Sequence, residues 1–227
     1  MAETNVDSCT PITPDPKCFN GNAVIPYNVT TEHIRKAMNG FAEFLGFVDR
    51  ELKNRGLIRL EDMLMPANFS SMVGEFMAAN IPKYCKTIVK NNYHNGHPDM
   101  LPAGKYKYDM AQHAGSDGIE IKGSRNLRGW QGHNVEDAWL MVFCFDSGRP
   151  VDLVKKVDPA PFRFLLVVGA LLSKDDWQFA GRSERSRRTI TASVKRSGYD
   201  KMMANWIYKA PELAKSKIDL LSLEDKS

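Results

Sequence analysis

The residues able to do chemistry crowd into residues 94–134. Within that stretch, positions 118–122 read Gly-Ile-Glu-Ile-Lys, a strict alternation of apolar and charged side chains. A strand of that period turns Ile119 and Ile121 to one face and Glu120 and Lys122 to the other. A carboxylate and an ammonium then stand side by side on a strand whose opposite face is core. Asp99 lies 21 residues upstream of Glu120, directly after Pro98, and a hairpin with a long loop would set it beside Glu120. Two carboxylates converging at the end of a sheet suit a hard divalent cation such as Mg²⁺. A lysine next to them can orient a water, or deprotonate it if its own pKa is lowered by its surroundings. With a metal stabilising charge on a phosphate and a water aligned for attack, the set could hydrolyse a phosphodiester.

Neighbouring residues compete for these roles. Asp117 also precedes the Glu-Ile-Lys triplet, but three residues from Glu120 on a continuous strand it would face the other way, so Asp99 is the preferred first acid. Glu75, at the edge of a preceding helix's apolar stripe, could add an outer metal ligand or be a solvated glutamate. The glycine-flanked loop after the triplet carries Gln131, His133 and Asn134, which could bond water or phosphate or only satisfy a turn. His94 and His97 flank Asn-Gly with no further ligands at zinc spacing and read as turn residues.

The elements that must position these residues are legible in outline. Residues 1–30 hold four prolines and read as an irregular arm. From Thr31, taken as an N-cap, apolar residues at helical spacing run to about Arg55, with Gly56 as a stop. Ser70 and Ser71 are candidate caps of a second helix that Pro82 ends or continues as a turn through Cys85, Ile88 and Val89. The nearly continuous apolar runs at 138–145 and 162–172 suit central strands buried on both faces. Residues 188–194, rich in β-branched side chains, read as a further strand, and 197–208 as a late helix. The expected organisation is the arm, one domain over 31–210 (a helical part 31–92, then a catalytic sheet 93–210), and a tail over 211–227. Helices followed by a mixed sheet give an α/β or α+β class.

Composition narrows the possibilities. A chain of 227 residues with 43% hydrophobic and 26% charged residues is an ordinary globular chain, not a disordered one. Its net charge of +4 permits a nucleic-acid partner without demanding one. No apolar run reaches membrane-spanning length, the start lacks the charge and apolar core of a secretory signal, and the four cysteines show no paired spacing. A cytoplasmic protein with free thiols is expected. Loops of the GxxxxGK[ST], GxGxxG or GxSxG type are absent, which argues against a nucleoside-triphosphate motor, a dehydrogenase or an α/β-hydrolase.

Pro98-Asp99 followed by Glu120-Ile121-Lys122 resembles the motif of the PD-(D/E)XK nuclease superfamily, best known from type II restriction endonucleases. The resemblance covers about residues 70–195. It implies a mixed central sheet flanked by helices, with Asp99 and Glu120 binding Mg²⁺ (Mn²⁺ able to substitute), helped by the backbone carbonyl of Ile121. Lys122 would handle the attacking water. It further implies cleavage of double-stranded DNA, by a restriction enzyme or by a repair or junction-resolving nuclease. A DNA-binding module without activity, with Glu120 and Lys122 as a mere salt pair, is the alternative of another class. Residues 182–201 carry seven Lys or Arg against Glu184 and Asp200. Arg182, Arg185, Arg187, Arg188, Lys195 and Arg196 are the expected contacts to DNA phosphates, or a solvated edge. One active site per chain and two strands to cut point to a twofold homodimer, with the helix over 31–55 a candidate interface.

Overall fold

The computed structural model describes residues 7–132, 134–157, 160–179 and 191–215. The fold is mixed α+β, centred on a four-stranded mixed sheet of order β3-β5-β6-β9. Its strands are β3 (Glu120–Ser124), β5 (Ala138–Asp146), β6 (Arg163–Leu172) and β9 (Trp206–Lys209). β3 runs parallel to β5, and the other two pairings are antiparallel. The two long apolar runs are the central strands, and both their faces are covered. Met141, Phe143 and Phe145 of β5 join one core cluster, while Leu140, Val142 and Cys144 join another on the opposite face.

The first face is covered by helices α1 (Thr31–Asn54) and α3 (Pro66–Tyr84), linked by the short α2 (Leu60–Met63). Helix α1 buries Ile34, Ala37, Met38, Phe41 and Leu45 of the stripe its spacing predicts, while Val48 and Leu52 toward its end are half-buried. Phe41 packs against Phe69, Phe76, Phe162 and Phe164. The second face is covered by α5 (Arg196–Ala204) and by a small antiparallel sheet of β4 (Gln131–Gly132), β8 (Ala192–Val194) and β7 (Trp177–Phe179). A hairpin of β1 (Ile88–Lys90) and β2 (Met100–Pro102) lies beside β3, and α4 (Pro150–Val154) and α6 (Pro211–Lys215) complete the helices.

Several boundaries differ from the sequence reading. The N-cap of α1 is Thr30, whose hydroxyl accepts from the His33 N–H, so Thr31 is the first helical residue. Helix α3 starts at Pro66, a residue suited to a first turn because its missing N–H would go unpaired there. Ser70 and Ser71 therefore lie inside the helix. Pro82 sits in its last turn, and the segment beyond Cys85 is strand β1 rather than a turn. The late helix stops at Ala204, and Trp206–Lys209 forms an edge strand whose Ile207 and Tyr208 are buried. Of residues 188–194, the last three are strand β8, and 188–190 fall outside the described residues. The arm is irregular but docked: Ile12 N–H donates to the Phe162 carbonyl and Asn20 N–H to that of Ile207. No helix among the described residues is long and apolar enough to cross a membrane.

Candidate active site

Strand β3 has one free edge in its sheet, and the site is built along it. Met100 and Ile119 exchange both backbone hydrogen bonds as an antiparallel bridge, so the next pair in that register is Asp99 opposite Glu120. The bridge needs glycine at 118. Gly118 holds a φ of 147°, and a Cβ there would run into the Met100 carbonyl and the Pro98 ring. Helix α3 crosses β3 so closely that a Cβ on Gly123 would meet the Ser70 carbonyl. Local sequence thus sets the strand, and two glycines let a hairpin and a helix close on it.

The three motif residues meet. Asp99 Oδ2 accepts from the Ile121 N–H at 2.7 Å. A residue's N–H and C=O leave a strand on the same side, so the Ile121 carbonyl shares this free edge with Asp99. Lys122 Nζ donates to Glu120 Oε1 at 2.5 Å, as two residues on one strand face should. Glu120 is 7% exposed, and its other oxygen accepts from His97 Nδ1 at 3.0 Å. These groups open onto a cleft of about 1020 Å³, lined also by Glu75, Asn91, His113, Asn134 and Glu136.

The charges are unequal. Burial opposes ionisation of Glu120, but the His97 hydrogen bond and the Lys122 charge outweigh it and hold the carboxyl at about 2. Asp99 is pushed up to about 7, by burial first and by the Glu120 charge second. Burial works against charge on Lys122, yet Glu120 and Asp99 raise its pKa above the ordinary lysine value. His97 is likewise raised, its Glu120 partner overcoming burial. Two touching carboxyl groups of which one resists ionisation form a pair with anionic capacity to spare. A divalent cation between them could take the place of the proton, so Asp99, Glu120 and the Ile121 carbonyl fit Mg²⁺.

The other expected site residues are placed as follows. Glu75 lines the cleft but is exposed and paired with Lys90 at 2.8 Å. Asn134 lines the cleft too. Gln131 is instead paired with Ser193 in the small sheet, and His133 lies outside the described residues. Asp117 is held by Tyr27, Tyr106 and Lys105, away from the cleft. Arg182, Arg185, Arg187 and Arg188 lie outside the described residues. Lys195 donates its backbone N–H to the Asp176 carbonyl, and Arg196 pairs with Asp200 at 2.9 Å on the surface of α5.

Sequence reading missed three groups. His97 is not merely a turn residue, since it bonds directly to Glu120. Glu136 and His113 stand next to it, with Glu136 Oε2 at 3.5 Å from His97 Nε2 and 3.9 Å from His113 Nε2. The only available signal was that two histidines and a glutamate fall within one stretch of the chain, at no regular spacing.

Comparison with models of known families, with curated proteins and with solved structures finds no match for this chain.

Proposed function

We propose that the protein is a Mg²⁺-dependent endonuclease acting on double-stranded DNA, of the PD-(D/E)XK kind and nearest to a type II restriction enzyme. The observation that carries this reading is the convergence of Asp99 on Glu120, Ile121 and Lys122 along the free edge of β3, facing a cleft. Asp99, Glu120 and the Ile121 carbonyl would hold the cation, which supplies Lewis-acid stabilisation of charge on the scissile phosphate. Lys122, held charged by its two carboxylate neighbours, orients the attacking water and meets the developing charge. Its role as a proton acceptor would require those negative charges to be offset first. His97 fixes the Glu120 carboxylate from the other side.

Lys195 and Arg196, the described residues among the expected DNA contacts, follow a strand that connects toward this cleft. Strand β8 precedes Lys195 and Arg196 and pairs with β4, from which the chain leads directly to Asn134 and Glu136 at the cleft. That connection supports reading a route for the DNA backbone beside the acids. Cutting both strands with one site per chain calls for a twofold homodimer. Four free cysteines, of which Cys9, Cys85 and Cys144 are buried, are in keeping with a cytoplasmic location.

The test is incubation of a supercoiled plasmid with the protein, with and without Mg²⁺. Discrete fragments that need Mg²⁺ support a restriction enzyme. Nicking, or preference for branched DNA, moves the reading to repair or junction resolution. Binding without cleavage under any divalent ion overturns the nuclease reading.

A further inference from the structure

Beside the carboxylates stands a second group of potential ligands with a different chemistry. The ligating atoms of His97, His113 and Glu136 all lie within 4.8 Å of one another. Each is fixed by the fold. His97 and His113 face each other across a parallel bridge: His97 N–H donates to the Gln112 carbonyl at 3.1 Å and Ala114 N–H to the His97 carbonyl at 2.8 Å. Their rings stack with centroids 5.5 Å apart. The buried side chain of Asn91 clasps both segments, donating to the Pro98 and Ala111 carbonyls and accepting from the Ala111 N–H. Glu136 is held through its backbone, whose carbonyl accepts from Trp177 Nε1 at 2.8 Å.

The two nitrogens of His97 have separate settings. Nδ1 is engaged by Glu120, whereas Nε2 is shielded from solvent without a hydrogen-bond partner and faces Glu136. A carboxylate on one imidazole nitrogen, with the other turned toward further ligands, is the outer-shell arrangement that orients a metal-binding histidine. Tetrahedral bonds of 2.0–2.1 Å set ligand atoms roughly 3.3 Å apart. The 3.5 and 3.9 Å separations to Glu136 are close to that value, and closing the group from its 4.8 Å limit needs movement that the exposed His113 side chain can supply.

We propose that His97, His113 and Glu136 form a separate metal site, three-coordinate from the protein and open to the cleft, for a transition ion of the Zn²⁺ or Co²⁺ class. Two imidazoles and one carboxylate select such an ion over Mg²⁺, which prefers oxygen. Three protein ligands leave a position for water or for an oxygen of a bound ligand. This goes beyond the nuclease reading and does not depend on it.

The test is titration of the full chain, free of DNA, with Co²⁺, followed by visible absorption and by Zn²⁺ competition. One equivalent should bind with the intense band of a low-coordinate Co²⁺ and be displaced by Zn²⁺. His113→Ala, at an exposed position that leaves the core intact, should weaken binding by more than the roughly 10–100-fold typical of losing an outer-shell partner. Glu136→Gln should do the same, and Asp99→Ala should keep the band. Absence of the band in the parent, or its persistence in His113→Ala, overturns the proposal. Loss in Asp99→Ala with retention in His113→Ala would put the ion at the carboxylates instead. Cleavage plays no part in this readout, so failure here and failure of the nuclease reading are separate results.

Discussion

Two pairs of carboxyl groups are pressed together in this molecule, in opposite settings. Asp99 and Glu120 meet at a sheet edge on an open cleft, beside Lys122 and His97. Asp49 and Glu61 meet in the interior beside Arg59, where Glu61 is 0% exposed and Asp49 1%. Burial raises both acids of the inner pair, and at Glu61 the neighbouring Asp49 charge adds to burial and brings its pKa to about 8. Every partner there is structural. Asp49 accepts from the Leu60 N–H at the start of α2, and Arg59 pairs with Asp62 and donates to the Ser8 and Ala160 carbonyls. The inner cluster therefore fastens the arm and α2 to the domain. Paired acids alone do not mark a site. What separates the outer pair is the cleft, a lysine on the same strand face and a backbone carbonyl on the same edge.

Substitutions can break or sharpen this contrast. The largest effect is expected at Asp99: Asp99→Ala should abolish Mg²⁺-dependent cleavage while DNA binding, read by gel shift, stays or tightens as repulsion from phosphate falls. Next, Lys122→Ala should slow single-turnover cleavage by roughly 10²–10⁴-fold with little change in DNA affinity. Lys122→Arg should not restore it, since guanidinium differs in shape and stays protonated. A rate within a few-fold of the parent for Lys122→Ala would make the Glu-Ile-Lys triplet an ordinary charged strand face.

Two smaller effects concern stability. Gly123→Ala sets a methyl against the Ser70 carbonyl, backbone to backbone, and should cost ~1–3 kcal/mol in denaturant unfolding. Parental stability there would contradict the close crossing of α3 and β3. The inner pair should reveal itself through pH. Glu61 has a folded pKa above its unfolded value, so the folded state holds the extra proton. The resulting stabilisation is present below about pH 4.5 and is lost as pH rises through about 8. Glu61→Gln keeps a donor toward Asp49 without the ionisation, so its melting temperature should fall less than the parent's between those limits. Identical pH profiles would show that Glu61 ionises freely.

The parts of this molecule legible in its sequence are those fixed by local periodicity. The stripe of α1 and the two-faced runs of β5 and β6 repeat with the period of their elements. The sequence puts the start of helix α3 too late because Met65 offers no side-chain cap, while Ser70 and Ser71 look like caps yet lie in the second turn. Strand β9 follows α5 without a glycine or proline, and only its place at the sheet edge makes Trp206–Lys209 extended. At the site, Asp99, Glu120 and Lys122 were readable because strand alternation and one hairpin bring them together. His113 and Glu136 were not, because their approach to His97 depends on the Asn91 clasp and the Trp177 contact, and neither follows from spacing.

The most direct measurement compares the two acid pairs in one assay: single-turnover cleavage of a labelled duplex with Mg²⁺, by Glu120→Gln and by Glu61→Gln, below the melting temperature of both. The expected result is loss of cleavage in Glu120→Gln and a rate within a few-fold of the parent in Glu61→Gln. Equal rates for the two variants, or a greater loss in Glu61→Gln, would contradict the assignment of the cleft carboxylates as the metal-binding pair.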